Sequence, residues 1–346
     1  MPLVSIGLPV HNAARYLRQA LDSLLGQDYP TLELIVSDNA STDATEQICR
    51  EYGQRDQRMV YDRTATNMGA VWNFNRVFEL ARGEYFMWAA FDDLRDRRYV
   101  STCVSALKSR PDAVLCTTDV VFIDEAGQKL EVPQSVYGYR PTGRTARERL
   151  RQVAQSPLDV DFYGLARTDA LRRTRRSVLT WGFDVVIVLE LCLRGPVLLV
   201  PEPLFYYRRF GEKTQADLAA GLSGTAAAQS VAVCWSCLAV ELLHSIWLAP
   251  AGTLEKLLLT YEFLLRYCAL NLAIGAGIRR DLTRSIGDAW RDRDWGRWAV
   301  LVGIGILVYP IHSWLGRSLY RGFRRLRSVS SRPAGSVSQG GFKNRP

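Results

Sequence analysis

The chain has 346 residues and carries 44 Lys and Arg side chains against 35 Asp and Glu, which gives a formal net charge of +9. All of this excess lies after Asp294, where nine basic residues occur and no acidic ones. Because the basic segment follows an apolar run, the pattern favours an anionic membrane surface as a partner and disfavours nucleic acid.

The cysteines and the amino terminus indicate the compartment. The seven cysteines are scattered along the chain, which is typical of reduced thiols and not of a disulfide framework. Cys234 and Cys237 form a single C-x-x-C pair, and the apolar residues around it favour a helix core over a redox or zinc site. The first residues lack the basic segment of a secretory signal. We therefore expect a cytoplasmic protein.

Short apolar runs alternate with amphipathic segments in the first part of the chain, which predicts alternating strands and helices. Strands are predicted at 3–9, 32–37, 59–62, 84–91, 113–121 and 197–207, and helices at 13–25, from 41 onward and at 70–81. Asn12 is predicted to cap the first helix, and Asp43 and Glu46 have capping-box spacing at the second. The arginine-rich stretch 140–151 is predicted to be a solvated helix face. The alternation predicts an α/β fold with a doubly wound, mostly parallel sheet.

Polar side chains follow three of these strands at the point where each strand ends. They are the 9–12 loop, Asp38 with Asn39, and the adjacent carboxylates Asp92 and Asp93. Ligands of parallel sheets bind beyond the carboxyl ends of the strands, so these groups are expected at one edge. Two ionised carboxylates side by side repel each other, and a cation such as Mg²⁺ or Mn²⁺ removes that conflict. The chain has neither a dinucleotide-binding glycine motif after the first strand nor a P-loop motif, which disfavours dehydrogenases and P-loop NTPases.

Two segments carry a resemblance to a known family. They are VSIGLPVHNAARYLRQALDSLLGQDYPTLELIVSDNASTDAT and NMGAVWNFNRVFELARGEYFMWAAFDDL, and they resemble glycosyltransferase family 2 of the GT-A fold. The resemblance implies inverting transfer of a sugar from a nucleotide-sugar donor, with a UDP-sugar favoured and with Mg²⁺ or Mn²⁺. It implies Asp92 and Asp93 as metal ligands. It implies nucleotide contacts for Pro9, His11, Asn12, Asp38, Asn67, Gly69 and Asp92.

The chain departs from the family pattern at three places, one of which is His11, where tyrosine is common. Ala90 stands where the family has the first aspartate of its metal motif, and Phe210 stands where histidine is usual. Arg208 or Arg209 is an alternative holder of the diphosphate. These departures leave a second hypothesis open, a catalytically silent GT-A-like membrane scaffold in a glycan-assembly complex. A nucleotidyltransferase shares the metal–diphosphate chemistry, but the family motifs disfavour it.

Asp184 follows a turn and begins an apolar helix that Gly195 ends. Its carboxylate is of the type that caps a helix by accepting backbone N–H groups. The family resemblance implies instead a catalytic base at this position, because an acceptor hydroxyl attacks well only if its proton is removed. We favour the base, and capping does not exclude it.

We expect three parts along the chain: a GT-A catalytic domain over 1–212, an α-helical region over 213–316 and a basic tail over 317–346. Apolar helices are predicted at 226–248 and 254–274. The segment 298–315 has no formal charge and aromatic residues at both ends, which favours an interfacial or re-entrant segment, with a buried helix as the alternative. The expected location is peripheral or monotopic on the inner face of the cell membrane, with a lipid-linked or cell-envelope glycan as acceptor.

Overall fold

The computed structural model describes residues 1–132, 140–155, 159–210, 234–270 and 272–312. The predicted domain boundaries at 212/213 and 316/317 lie outside the described residues, as do the first part of the predicted helix 226–248 and the basic tail. The division of the chain into three parts therefore stays a prediction.

One sheet forms the centre of the first two thirds of the chain. Its strands are β1 Val4–Val10, β2 Leu32–Asp38, β3 Met59–Arg63, β4 Tyr85–Trp88, β5 Leu94–Arg95, β6 Leu115–Ile123, β7 Leu165–Arg167 and β8 Val197–Arg208. Their order is β3-β2-β1-β4-β7-β6-β8-β5. The first four strands in this order are parallel, as are β6 and β8, whereas β7 is antiparallel to both of its neighbours. The predicted α/β fold with a mostly parallel sheet is confirmed.

Helices flank this sheet and make up most of the remainder. Those before residue 200 are α1 Leu17–Leu25, α2 Thr45–Arg55, α3 Ala70–Glu79, α4 Tyr99–Ser109, α5 Ala146–Gln155, α6 Thr168–Arg172 and α7 Phe183–Cys192, with a 3₁₀ turn at Asp159–Tyr163. The later ones are α8 Trp235–Leu248, α9 Thr253–Phe263, a π-helical turn Leu264–Leu270, α10 Leu272–Arg291 and α11 Trp295–His312. The later helices pack on α5 and α7 and extend the same hydrophobic core.

The central strands are buried on both faces, which explains why they read as continuous apolar runs. Gly7 in β1 allows α3 to approach closely, because an added Cβ would lie 2.7 Å from atoms of Val77 and Phe86. The predicted strand 84–91 ends earlier, at Trp88. Beyond Trp88 the chain keeps one ladder bond, from the Ala89 N–H to the Gly7 carbonyl, and then turns out of the sheet.

The predicted helix caps are wrong, and the residues concerned tie two loops together. Asn12 has a φ of 50°, and its side-chain oxygen accepts the N–H of Thr42 at 2.9 Å, while α1 begins only at Leu17. Asp43 accepts the N–H of Thr45 and that of Ala14 across the loop after β1. Asn12 thus satisfies a backbone group of the neighbouring loop, and Asp43 satisfies one such group together with the first N–H of α2.

The arginine-rich stretch is only in part a solvated face, because two of its arginines pair with a later helix and one is buried. Arg147 and Arg151 of α5 and Arg266 of the π-helical turn pair with Glu262 of α9 at 2.5, 2.6 and 2.8 Å. These guanidinium groups, that of Arg151 foremost, hold the pKa of Glu262 well below its usual range. Arg149 is buried and donates to the Cys192 carbonyl of α7. The two halves of the chain are therefore joined by ion pairs as well as by apolar contact.

The C-x-x-C pair also differs from expectation, because Cys234 and Cys237 form a disulfide with an S–S distance of 2.08 Å. The spacing places both sulfur atoms at the first turn of α8, where they can meet. The Arg297 guanidinium donates to the Cys237 sulfur at 3.1 Å. The expectation of reduced thiols is wrong for this pair.

The predicted segment 298–315 falls mainly within α11, and its last three residues lie outside the described part of the chain. Across the described ranges, none of the helices combines the length and apolar character that crossing a bilayer requires.

Candidate functional site

A cavity of about 400 Å³ opens where β1, β2 and β4 end. Its walls come from the loop after β1, the start of α3, the loop between β4 and β5, and the end of β8. The volume suits a small-molecule ligand. The predicted site residues that line it are Pro9, His11, Asn67, Asp92, Asp93 and Arg208. The described residues that line the cavity do not include the other predicted site residues, which are Asn12, Asp38, Gly69, Asp184 and Arg209.

Asn39 organises the polar wall of the cavity, and the sequence interpretation did not assign it a role. Its side-chain nitrogen donates to Asn67 Oδ1 at 2.9 Å and to the Gly69 carbonyl at 3.1 Å, while its oxygen accepts the Met68 N–H at 2.8 Å. Gly69 has a φ of 86°, which a residue with a side chain rarely adopts. The loop before α3 is therefore fixed to the end of β2.

His11 projects into the same wall with a defined protonation pattern. Its Nε2 lies 3.3 Å from the Asn67 amide nitrogen and 3.4 Å from that of Asn12, and both are donors. Nε2 is thus the acceptor, and Nδ1 carries the hydrogen that it donates to the Asn39 carbonyl at 2.8 Å. Through these contacts His11 links three loops.

Asp38 lies beneath the cavity and not in it. Its side chain is fully buried, and its oxygens accept the Ser41 N–H at 2.8 Å, the Tyr61 hydroxyl at 2.8 Å and Arg63 Nε at 3.1 Å. Burial and this carboxylate raise the pKa of Tyr61, so its hydroxyl keeps the proton that it donates. Tyr61, Arg63 and a backbone N–H thus bond to both of its oxygens, and the direct contact of Asp38 with a nucleotide stays a prediction.

Asp92 and Asp93 both line the cavity, as does Ala90 beside them. Asp93 is almost fully buried and accepts the backbone N–H of Arg208 at 2.8 Å. The two carboxylates offer the hard oxygen atoms that Mg²⁺ and Mn²⁺ accept. Within the described residues no cluster of three or more His, Cys, Asp and Glu side chains forms a complete set of metal ligands. Asp92 and Asp93 are thus two carboxylates at the cavity and fewer ligands than a site built from protein side chains alone requires.

The two arginines at the end of β8 differ sharply. Arg208 is buried at the cavity wall, and its guanidinium donates to protein oxygen atoms. Arg209 is exposed, and its guanidinium lies 5.4 Å from the centre of the Phe122 ring. Phe210 lines the cavity and contacts the Tyr16 ring at 5.8 Å between centroids.

Asp184 lies in the first turn of α7, where a carboxylate is favoured by the helix dipole. The capping position belongs to Gly182, so the capping alternative for Asp184 is wrong. The adjacent Phe183 packs on Phe74 at 5.2 Å between ring centroids, and Phe74 lines the cavity. The beginning of α7 thus stands directly behind the cavity wall.

Aromatic side chains form the part of the wall that sequence reasoning missed. Phe91, Tyr163 and Tyr207 line the cavity together with Phe74 and Phe210. Their positions are separated by many residues, and no local pattern connects them. Their rings offer flat apolar surface beside the two carboxylates.

The sequence matches the profile described as Glycosyl transferase family 2 over residues 5–175, a range that contains β1 through β7. Residues 5–175 belong to glycosyl transferase family 2. The matched part is therefore a glycosyltransferase domain. An uncharacterized glycosyltransferase of Rickettsia typhi is 33% identical over 151 residues, which cover 43% of this chain and 44% of that protein. The match thus spans less than half the length of that relative.

Solved structures share the fold over nearly the whole chain. TarS 1–349 of S. aureus in complex with UDP-GlcNAc has a TM-score of 0.59 at 17% identity, covering 87% of this chain and 90% of that one. The mannosyltransferase PcManGT of Pyrobaculum calidifontis, in complex with GDP-Man and Mn²⁺, has a TM-score of 0.52 at 17% identity, covering 88% and 86%. At this identity the likeness shows the fold alone, which is the GT-A arrangement.

Proposed function

We propose that the chain is an inverting glycosyltransferase that moves a sugar from a UDP-sugar to a hydroxyl group of a lipid-linked or cell-envelope glycan. The observation that carries the proposal is the cavity in which the polar loops after β1 and β2 face Asp92 and Asp93. Related folds with bound UDP-GlcNAc, UDP and GDP-Man support a nucleotide-sugar as the ligand of such a cavity.

The two walls have different roles in this proposal. The wall of Pro9, His11 and Asn67 contacts the nucleotide, and it is held in place by Asn12, Asp38 and Gly69 from behind. Asp92 and Asp93 would hold Mg²⁺ or Mn²⁺, and the ion would offset the negative charge that develops on the leaving diphosphate. Arg209 is exposed and stands in sequence between the lining residues Arg208 and Phe210, and it is the residue proposed to contact the diphosphate.

Asp184 is proposed as the catalytic base. An acceptor hydroxyl is a poor nucleophile until its proton is removed, and the carboxylate accepts that proton as the hydroxyl attacks the anomeric carbon. Inversion follows from attack opposite the departing diphosphate. Asp184 does not line the cavity, so this role requires the acceptor hydroxyl to come within hydrogen-bond reach of its carboxylate. The link between α7 and the cavity is Phe183, which packs on Phe74 of the cavity wall.

Membrane association is part of the proposal and rests on charge. The arginines after residue 316 carry most of the net charge of +9 and follow the apolar helix α11. Such a segment suits anionic headgroups, which would hold the enzyme at the inner face of the membrane near a lipid-linked acceptor.

Titration of purified protein with UDP-sugars, with and without Mn²⁺, tests the proposal. We expect Mn²⁺-dependent binding of at least one UDP-sugar and release of free UDP when a suitable acceptor extract is added. Asp92→Asn and Asp93→Asn should each weaken the Mn²⁺-dependent part of binding. Ala90 and Phe210 favour the alternative, a catalytically silent scaffold. Absence of UDP-sugar binding with both Mg²⁺ and Mn²⁺ would support this alternative. Release of pyrophosphate in place of UDP would indicate a nucleotidyltransferase.

A further inference from the structure

Arg208 lies at the edge of the cavity, where its side chain is hydrogen-bonded to several parts of the protein. Its side chain is almost fully buried, and its guanidinium lies 4.5 Å from the centre of the Tyr16 ring. Nε donates to the Asp92 carbonyl at 2.7 Å. One terminal nitrogen donates to the Asp124 and Glu125 carbonyls at 2.9 and 3.0 Å.

The other terminal nitrogen of Arg208 donates to Gln19 Oε1 at 3.0 Å. A guanidinium has about five N–H groups, and these four bonds leave roughly one for any ligand. A phosphate-binding arginine presents a fork of two N–H groups to the anion, whereas the fork of Arg208 is directed at protein carbonyls. The geometry therefore argues against a role as the main diphosphate ligand.

The same four bonds join three segments that are far apart in sequence. They connect the loop that carries Asp92 and Asp93, the turn after β6 at 124–127, and helix α1. The backbone N–H of Arg208 adds a fifth bond, to Asp93 Oδ1 at 2.8 Å. Gly127 in the turn, with a φ of 83°, keeps that turn close to the guanidinium.

We propose that Arg208 is a positioning residue that fixes the orientation of Asp92 and Asp93 toward a divalent cation, and that it is not a phosphate ligand. This inference rests on the proposed function. Residues that orient metal ligands from behind change metal affinity by about 10- to 100-fold when they are replaced. A loosened Asp92 carbonyl would allow the two carboxylates to move apart and weaken their joint hold on the ion.

The test measures Mn²⁺ binding by electron paramagnetic resonance at saturating UDP, and UDP binding by calorimetry in the presence of EDTA. In Arg208→Gln we expect Mn²⁺ affinity to fall by about 10- to 100-fold, with metal-free UDP affinity within about twofold of wild type. Arg208→Lys should behave in the same way, because an ammonium group cannot reach carbonyls in three segments. Arg209→Gln removes the same charge one residue later and should weaken metal-free UDP binding, with Mn²⁺ affinity kept.

Gln19→Ala covers the case in which the Arg208 variants fail to fold. Gln19 is exposed on α1, so the replacement should leave the melting temperature unchanged and lower Mn²⁺ affinity by about two- to tenfold through the loss of one bond to a charged group. Restored Mn²⁺ binding in Arg208→Lys, together with weakened metal-free UDP binding in Arg208→Gln, would show a phosphate ligand and overturn the inference. Unchanged Mn²⁺ affinity in Arg208→Gln would also overturn it. If the wild-type protein bound no Mn²⁺ at saturating UDP, both the proposed metal site and the inference about Arg208 would be wrong.

Discussion

The replacement Glu262→Gln tests whether ion pairs hold the later helices on the catalytic domain. The carboxylate of Glu262 is 4% exposed and is shared by Arg147, Arg151 and Arg266. An amide keeps the shape of the side chain and one acceptor oxygen but removes the charge. The three guanidinium groups would then lie close together with no carboxylate to offset their mutual repulsion.

The magnitude follows from how buried the partners are. Breaking a fully buried ion pair destabilises a protein by about 3–5 kcal/mol, because a charge is left without its partner. The arginine side chains here are 44%, 35% and 31% exposed, so each can turn toward water and recover part of that loss. We therefore expect Glu262→Gln to lower the free energy of unfolding by about 2 kcal/mol.

Urea unfolding followed by far-ultraviolet circular dichroism measures this change, with Glu255→Gln as the matched control. Glu255 is exposed in the first turn of the same helix, and its loss should lower the free energy of unfolding by less than about 1 kcal/mol. The folded-state pKa of Glu262 is depressed, so its stabilisation is present above the unfolded pKa of about 4.3 and is lost as the pH falls below it. Equal losses of the free energy of unfolding in the two variants at pH 7 would refute the reasoning. A difference in unfolding free energy between them that is the same at pH 3 as at pH 7 would also refute it.

Three further results are expected. Asp184→Asn should lower turnover by about 10²–10⁴-fold with unchanged UDP-sugar affinity, measured by UDP release and calorimetry, and undiminished turnover would contradict its role as base. Iodoacetamide should label Cys234 and Cys237 in the folded protein only after treatment with a dithiol reductant, as read by peptide mass spectrometry, and labelling before reduction would disprove the disulfide. Sedimentation with anionic vesicles should retain the full chain and lose a version ending at residue 312, whereas equal sedimentation of both would exclude the basic tail as anchor.

The parts of the fold that depend on local pattern could be predicted from the sequence. The apolar runs of β1, β2 and β4 are buried on both faces, so their composition alone marks them as central strands. The rule that ligands bind beyond the ends of parallel strands then placed His11 and Asp92 at one edge, and the structure brings both to the same cavity.

The rest depends on partners that lie far away in the chain. The two-residue strand β5 exists because β8, about 110 residues later, supplies its hydrogen bonds, and no local pattern reveals that pairing. Glu262 is an acidic residue within the predicted apolar helix 254–274, and only the distant Arg147 and Arg151 explain its burial there. The family resemblance implies a nucleotide contact for Asp38, but no local pattern reveals that Tyr61 and Arg63 donate hydrogen bonds to its buried carboxylate.

The hydrogen-bonded wall of His11, Asn39, Asn67 and Gly69 bears on the thermodynamics of ligand binding. These groups already bond to one another without a ligand, so their loops lose their conformational entropy when the chain folds and not when a ligand arrives. Binding to this wall should therefore involve no slow ordering step, and the heat capacity change should reflect only the surface that the ligand covers. If the proposed function is correct, the wall would be a rigid surface on which the more flexible nucleotide takes up its bound conformation.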